Sequence, residues 1–240
     1  MVGTVMWSVG VVGGVGSSEV CCWVERLVQL VTSEQHLSLA LANDQSPQAA
    51  VLARFLQLLS LVLSDPSPGL KRLVGVVVAT LDELYPQVSQ QPTAAAIRQP
   101  LFAVLRTLLE HNWKFFYRST VQQPLSQSAW EEVQHGEHLT RILQAFGQSF
   151  MQTDIAVFRQ NLSTLQLLNA KFRLYSKVGH RSENVFRPLL SQFITVLLQV
   201  LLHGSHALLQ DEDFPTFSQS VQRLTNDLRY YRTVNDSLAT

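Results

Sequence analysis

Residues 46–86 read SPQAAVLARFLQLLSLVLSDPSPGLKRLVGVVVATLDELYP, and this stretch decides the fold. Ser46 followed by Pro47 predicts a helix start, because serine caps free backbone N–H groups and proline fits the first helical position. Apolar residues then recur at helical spacing, which predicts one buried face. The members of this face are Val51, Leu52, Phe55, Leu58, Leu59, Val62 and Leu63.

A second helix is predicted directly after this one. The turn at residues 65–68 stops the first helix and starts the next in the same manner, and Pro86 is expected to end it. The connection is short and the lengths match, so the two helices are predicted to form an antiparallel pair. The residues expected to be buried are Leu70, Leu73, Val74, Val77, Leu81 and Leu84.

The same helical pattern recurs along the chain, and alternation typical of strands is absent. The further predicted helices span 19–31, 34–42, 100–117, about 137–150, 154–175, 185–203 and 214–231, with a polar loop at 122–136. The first helices of successive pairs begin near 47, 100, 154 and 214, a spacing close to that of HEAT-like repeats. The prediction is an all-α fold: an α-α superhelix of HEAT-like helical pairs over residues 19–240. A closed helical bundle is the alternative, which periodicity does not exclude.

The composition agrees with stacked apolar helices. Of the 240 residues, 46% are hydrophobic and 15% are charged, against about 25% charged in ordinary soluble domains. Helices with so little charge must be covered on more than one side. The formal net charge is zero, which argues against nucleic acid or an acidic membrane surface as a partner, since both attract clustered Lys and Arg. The adjacent Cys21 and Cys22 are predicted to be free thiols, because a disulfide between neighbours is strained.

The first eighteen residues, Met1 to Ser18, are apolar, rich in glycine and free of charge. We expect residues 1–18 to be a disordered or atypical N-terminal segment. A targeting segment is the alternative, but no basic residue precedes the apolar run as in a signal peptide. No other stretch is predicted to span a membrane.

Candidate chemical residues do not assemble into a catalytic pattern. His135 and His138 lack the spacing of the HExxH zinc motif and are expected to be solvated beside the loop. Cys21 has apolar neighbours and is expected to be buried. The remaining histidines of interest stand near predicted helix ends: His111, His203 and His206. The sequence therefore predicts no enzyme, with no catalytic, cofactor-binding or metal-binding residues.

Two charged segments have alternative interpretations. The acidic triplet Asp211–Asp213 suits a helix cap in a solvated loop, or else a contact with a basic partner surface. The aromatic and basic segment at 111–118 suggests base stacking, but rings at helical spacing point in different directions and several must be core. The sequence assigns no partner-binding residues, which are therefore unknown.

Several of these segments resemble exportins of the importin-β superfamily. The resemblance is carried by LFAVL at 101–105, LEHNWKFF at 109–116, DIAVFRQNL at 154–162, LNAKFRLY at 168–175 and the stretch from Phe217 to Leu238. It covers roughly residues 47–238. Met1 to Ser18 resembles nothing in the family, and helices that the family would place between Leu209 and Phe217 are missing.

The resemblance implies a nuclear export receptor. The resemblance further implies protein cargo, with profilin–actin as the expected cargo, together with contacts with nucleoporins and shuttling between nucleus and cytoplasm. It also implies dependence on Ran-GTP, through an N-terminal arch that this chain is expected to lack as a C-terminal fragment. The alternative is a HEAT-like scaffold or adaptor without any Ran linkage. No cofactor, nucleic acid or membrane partner is expected.

Overall fold

The computed structural model describes residues 16–174 except 69, 92–93, 121–129 and 153, together with 188–189, 192–196, 199, 222 and 226. For 16–18, 118–120 and 130–132 it describes the backbone only. The α-helices are α1 (Gly16–Val31), α2 (Glu34–Ala42), α3 (Pro47–Ser64), α4 (Leu73–Gln90), α5 (Ala95–His111), α6 (Trp113–Phe116), α7 (Gly136–Ser149) and α8 (Ile155–Phe172). Two strands, β1 (Tyr117–Thr120) and β2 (Trp130–Val133), lie between α6 and α7.

The larger helices stack in two layers. Helix α5 packs between α3 and α8, and its contact with α3 is the most extensive in the described part of the chain. Helix α4 packs against α5 and α7, and α7 also contacts α8. Helices α3, α5 and α8 therefore form one layer, and α4 and α7 form the second. This neighbour-on-neighbour arrangement confirms the predicted all-α superhelix of helical pairs.

The internal geometry of the first pair differs from the prediction. The main partner of α3 is α5, whereas α4 packs chiefly on α5 and α7. The predicted buried face of α3 is also partly wrong. Val51 and Leu58 are exposed, and Leu56 is fully buried in their place. Thirteen of the eighteen residues of α3 are apolar and they extend around most of the helix, so its periodicity alone could not select which face lies against α5.

The start of α4 also differs from the predicted Ser–Pro signal. A 3-10 turn at Leu70–Arg72 precedes α4, and Arg72 makes no side-chain cap. The backbone N–H of Ser67 donates to Oδ1 of Asp65 at 2.8 Å. Ser67 is thereby held in a turn closed by Asp65, so it does not serve as a helix cap.

Two prolines lie inside helices, where the sequence predicted boundaries. Helix α4 continues past Pro86 to Gln90, and α5 begins five residues before Pro100. A proline removes one helical hydrogen bond. In α4 the helix beyond it is supported by burial of Val88 and by a hydrogen bond from Gln87 Nε2 to the carbonyl of Glu83 at 3.2 Å.

The predicted helix at 100–117 and the polar loop after it are replaced by a more varied structure. Helix α5 ends at His111, where Asn112 turns away and its Nδ2 donates to the carbonyl of Leu63 at 2.9 Å. Helix α6 then leads into an antiparallel hairpin in which Tyr117 pairs with Val133 and Thr120 pairs with Trp130. Strands of four residues are too short for a visible alternation of polar and apolar residues, so the hairpin was not predicted.

Other predicted boundaries are confirmed. Ser46 and Asp154 cap α3 and α8, accepting hydrogen bonds from the backbone of Ala49 at 3.0 Å and Val157 at 3.1 Å. The predicted buried stripe of α7 is buried throughout. Its members are Leu139, Ile142, Leu143, Phe146 and Phe150.

The predicted helices near the two ends of the chain are described only in part. Helix α1 begins at Gly16, three residues before the predicted start, and residues 1–15 lie outside the described part. Residues 192–196 are helical, within the predicted helix at 185–203. Most of that helix and almost all of the one at 214–231 lie outside the described residues.

Candidate functional site

A cleft opens where the ends of α5, α6 and α8 meet the start of α4, and we call it the lysine cleft. Its volume is about 380 Å³. Four of its lining side chains are basic: Lys71 before α4, His111 and Lys114 near the α5–α6 junction, and Lys171 in the last turn of α8. The other lining residues are Val74, Glu110, Asn112, Trp113, Phe115 and Phe172.

Stacked aromatic rings form the inner wall of the lysine cleft. The ring of Trp113 lies 4.5 Å from that of Phe172, with 4° between the planes, and 5.0 Å from that of Tyr117. Phe115 stacks on His135 at 4.1 Å. Only 6% of Trp113 is exposed, so it offers little ring face to a nucleic-acid base. The core interpretation of segment 111–118 is therefore supported over base stacking.

The charges of the lysine cleft are unevenly balanced. Lys171 Nζ donates to the carbonyl of Glu110 at 3.2 Å and lies 3.6 Å from its Oε1. Glu110 is also paired with Arg106 on the outer side, at 3.6 Å. Lys71 and Lys114 are exposed and have no carboxylate within ion-pair distance in the described residues. Of the lining side chains that the structure describes, three are lysines and one is a glutamate, so positive charge is in excess among them.

A second groove, of about 310 Å³, runs between α4 and α7. At one end, Asp82 accepts from His138 Nδ1 at 2.6 Å and from Arg141 at 3.1 Å. At the other, the phenol of Tyr85 lies 3.2 Å from the carbonyl of Ala145 and 3.1 Å from Oε1 of Gln148. Burial raises the pKa of Tyr85 to about 12. These contacts join the two helices of the second layer.

The histidines do not occupy the environments that the sequence suggested. His135 stacks on Phe115 and His138 binds Asp82, so the prediction that both are merely solvated is wrong. A flat ring packs well against another ring, and Asp82 could not be anticipated because it lies 56 residues away. Within the described residues, no group of three or more His, Cys, Asp or Glu could hold a metal ion.

The two cysteines and one Asn-X-Ser sequence lie among the described residues. Cys21 is buried, as predicted, and Cys22 is exposed, and no disulfide joins these two described residues. Asn161, the first residue of an Asn-X-Ser sequence, is fully buried and donates to Ser149 Oγ at 2.7 Å, so it is inaccessible to glycosylation. His203, His206 and Asp211–Asp213 lie outside the described residues.

The sequence did not point to the lysines of the cleft, because Lys71 and Lys171 are 100 residues apart. A partial signal did exist. Lys114 follows the end of α5 and Lys171 is in the last turn of α8, so both lie near the C-terminal ends of successive first-layer helices. Basic residues are favoured at such ends, where they meet free carbonyls.

Apolar surface is exposed on α1 and α3. On α1 a stripe formed by Val20, Trp23, Leu27 and Leu30 is exposed beside the buried stripe that joins the core. Contrary to the sequence-based prediction, α3 is long and apolar enough to cross a membrane by length and composition alone. Core helices pass the same test, and α3 buries six residues in the stack.

Comparisons with known proteins point to one family. A family model described as exportin-6, C-terminal TPR repeats, matches residues 109–212. The chain is 34% identical to Exportin-6-A of Xenopus laevis over 265 residues, covering 90% of the chain and 23% of the relative. Exportin-6 of Homo sapiens is 33% identical with the same coverage, and that of Dictyostelium discoideum is 24% identical over 74% of the chain and 15% of the relative. No solved structure matches.

The match covers only a part of each relative. The chain spans about a quarter of the length of the vertebrate relatives, and the model that it matches describes their C-terminal repeats. The aligned length of 265 exceeds the 240 residues of the chain, so the relatives contain residues that this chain lacks. The likeness nonetheless extends over nine-tenths of the sequence, and the fold is the stack of helical pairs that such repeats form. The chain therefore belongs to the exportin-6 family, of which it matches the C-terminal repeats.

Proposed function

We propose that this chain acts as part of a nuclear export receptor that binds protein cargo. The observation that carries the proposal is the identity of 33–34% to exportin-6 relatives over 90% of the chain. Profilin–actin is the proposed cargo, and its binding depends on Ran-GTP through a region of the relatives that this chain does not match. The receptor contacts nucleoporins and shuttles between nucleus and cytoplasm.

The architecture is suited to binding rather than catalysis. Residues 19–240 form the repeat region in this proposal, and residues 1–18 form the N-terminal segment, whose last three residues belong to the first turn of α1. Packed helices such as α3–α5 and α4–α7 present long helix faces and junction clefts to a partner, and the neighbour-on-neighbour stacking allows the curvature to change. The chain needs no cofactor and has neither nucleic acid nor membrane as a partner.

The cargo test uses the 240-residue chain immobilised on a sensor. Binding is measured for profilin–actin, for actin alone and for profilin alone. Serum albumin serves as the protein control. Saturable binding of profilin–actin is expected, and equal, weak signals for all four proteins would contradict the proposed cargo.

Dependence on Ran requires the longer receptor. A chimera in which this chain replaces the matching region of human exportin-6 is assayed for profilin–actin binding with Ran-GTP and with Ran-GDP. We expect binding with Ran-GTP only. Binding that ignores the nucleotide would favour a scaffold or adaptor without Ran linkage.

A further inference from the structure

The lysine cleft combines an apolar wall with two lysines that have no ion-pair partner among the described side chains. Lys71 and Lys114 reach it from different elements, the 3-10 turn before α4 and helix α6, and neither is paired within the described residues. The wall between them contains Val74 and the edges of Trp113 and Phe172. This combination suits a ligand that carries negative charge around an apolar side chain.

The chemistry of the wall discriminates among anionic ligands. Trp113 is 6% exposed and stacked on two other rings, which leaves no platform for a nucleic-acid base. Within the described part of the chain, the basic side chains that line the cleft include no arginine, so the bidentate fork that arginine offers to phosphate is missing there. Lysines act as point charges that reach separate carboxylates. A volume of about 380 Å³ admits a few side chains.

We propose that the lysine cleft is a docking site for an acidic segment of a protein partner, in which carboxylates meet Lys71 and Lys114 and one apolar side chain lies against the partly exposed ring of Phe172. The assignment rests on the proposed function only in taking the partner to be a protein. Lys171 has a supporting role: it already binds Glu110, which keeps that carboxylate from repelling the ligand.

The test measures fluorescence anisotropy of labelled peptides with the full chain. The acidic probe has the sequence Gly-Asp-Glu-Phe-Asp-Glu-Gly, and the matched probe replaces each acid by its amide. The acidic probe is expected to bind more tightly, and its affinity should fall as salt is raised because exposed charges are screened. Equal affinity for the two probes would overturn the proposal.

Variants locate the binding. The double variant Lys71→Gln, Lys114→Gln keeps the aliphatic stems and should weaken acidic-peptide binding about fivefold to tenfold, since each exposed charge pair contributes modestly. The matched control Arg26→Gln, Arg54→Gln removes two exposed positive charges on α1 and α3. It should leave the affinity unchanged. Equal effects of the two double variants would show attraction by overall charge and overturn the site.

Two further arms address other occupants. Vesicles containing 30% phosphatidylserine should not compete with the acidic probe, and competition abolished by Lys71→Gln, Lys114→Gln would assign the cleft to a membrane surface instead. A variant with Asp211→Asn, Glu212→Gln and Asp213→Asn should bind the probe as the unmodified chain does. Tighter binding would mean that the chain's own acidic segment occupies the cleft, and it would overturn the proposal of a partner protein. None of these measurements uses Ran or profilin–actin, so their failure leaves the cargo proposal to its own test.

Discussion

The carboxylate of Asp44 accepts a hydrogen bond from the backbone N–H of Ala95 at 3.1 Å, across 51 residues of sequence. Its other oxygen accepts from the N–H of Ala96 at 3.2 Å. The residue at the cap position of α5 is Ala94, whose side chain has no hydrogen-bond acceptor. The loop between α2 and α3 thus supplies the cap and the negative charge that the start of a first-layer helix needs.

Removing this distant cap should destabilise the stack as much as removing a local one. We expect Asp44→Ala to lower the free energy of unfolding by about 1 kcal/mol, in the range measured for helix caps. Ser46→Ala, which deletes the local cap of α3, should cost a similar amount. Urea denaturation followed by circular dichroism measures both. The exposed Ser64→Ala serves as the control. If Asp44→Ala left the free energy of unfolding unchanged, water would be replacing the carboxylate at no cost.

Gly147 in α7 is required by a close approach to Phe193. A Cβ added at Gly147 would lie 2.9 Å from Cε2 of Phe193, closer than carbon atoms pack. Gly147→Ala should therefore destabilise the protein by about 1–3 kcal/mol, as overpacking of a core does.

A second glycine provides the matched control. Gly75 lies in α4, is exposed, and has nothing within 4 Å of its added Cβ. Gly75→Ala should stabilise by about 0.5–1 kcal/mol because alanine is the better helix former. Thermal unfolding of the two variants should move in opposite directions. A rise in melting temperature for both would contradict the packing of Phe193 on α7.

Asn161 is a buried polar residue that joins α8 to the end of α7. It is fully buried, and its Nδ2 donates to Ser149 Oγ, which in turn donates to the carbonyl of Phe146 at 2.6 Å. Asn161→Asp puts a carboxylate in this site and should cost about 3 kcal/mol or more at pH 7.

The pH dependence separates charge from shape in this variant. The penalty relative to the unmodified chain should shrink at pH 4, where a buried carboxyl is protonated and nearly the shape of the amide. Asn43→Asp, an exposed change at the end of α2, is the control and should have little effect at either pH. A penalty for Asn161→Asp that is the same at both pH values would contradict the buried position.

Loss of the phenol proton of Tyr85 should lower the free energy of unfolding at alkaline pH. Its pKa is raised by burial from 10.0 to about 12, so the folded protein holds the phenol proton more tightly than the unfolded chain. The stabilisation is complete below pH 10, the unfolded pKa, and is lost as the pH rises through 12, by about 2–3 kcal/mol in all.

The comparison with Tyr85→Phe isolates this contribution. Any stability advantage that the unmodified chain has over Tyr85→Phe at pH 8 should shrink between pH 10 and 12, because the phenylalanine has no proton to lose. Denaturation at a series of pH values measures the difference, and the absorbance of ionised tyrosine reports the titration directly. A constant difference across this range would mean that Tyr85 titrates like an exposed tyrosine.

The chemistry of the candidate site was less predictable than the helices around it. The sequence predicted that several rings of segment 111–118 lie in the core, and Trp113, Phe116 and Tyr117 are buried there. It did not bring Lys71 to Lys114, or Asp82 to His138, because no local pattern links residues 43 or 56 positions apart. Their meeting depends on which faces of α4, α5 and α7 are turned toward each other.

The sequence by itself determined where most helices lie and how several begin. The caps at Ser46 and Asp154 and the buried stripe of α7 follow from interactions within one or two helical turns, which periodicity and capping residues report directly. The family resemblance was likewise carried by short segments. The tertiary structure alone decided the partner of α3, the continuation of α4 through Pro86, the hairpin, the cap given by Asp44 and the lysine cleft. The physical reason is that apolar helices with several possible faces acquire a unique arrangement only when their neighbours are packed against them.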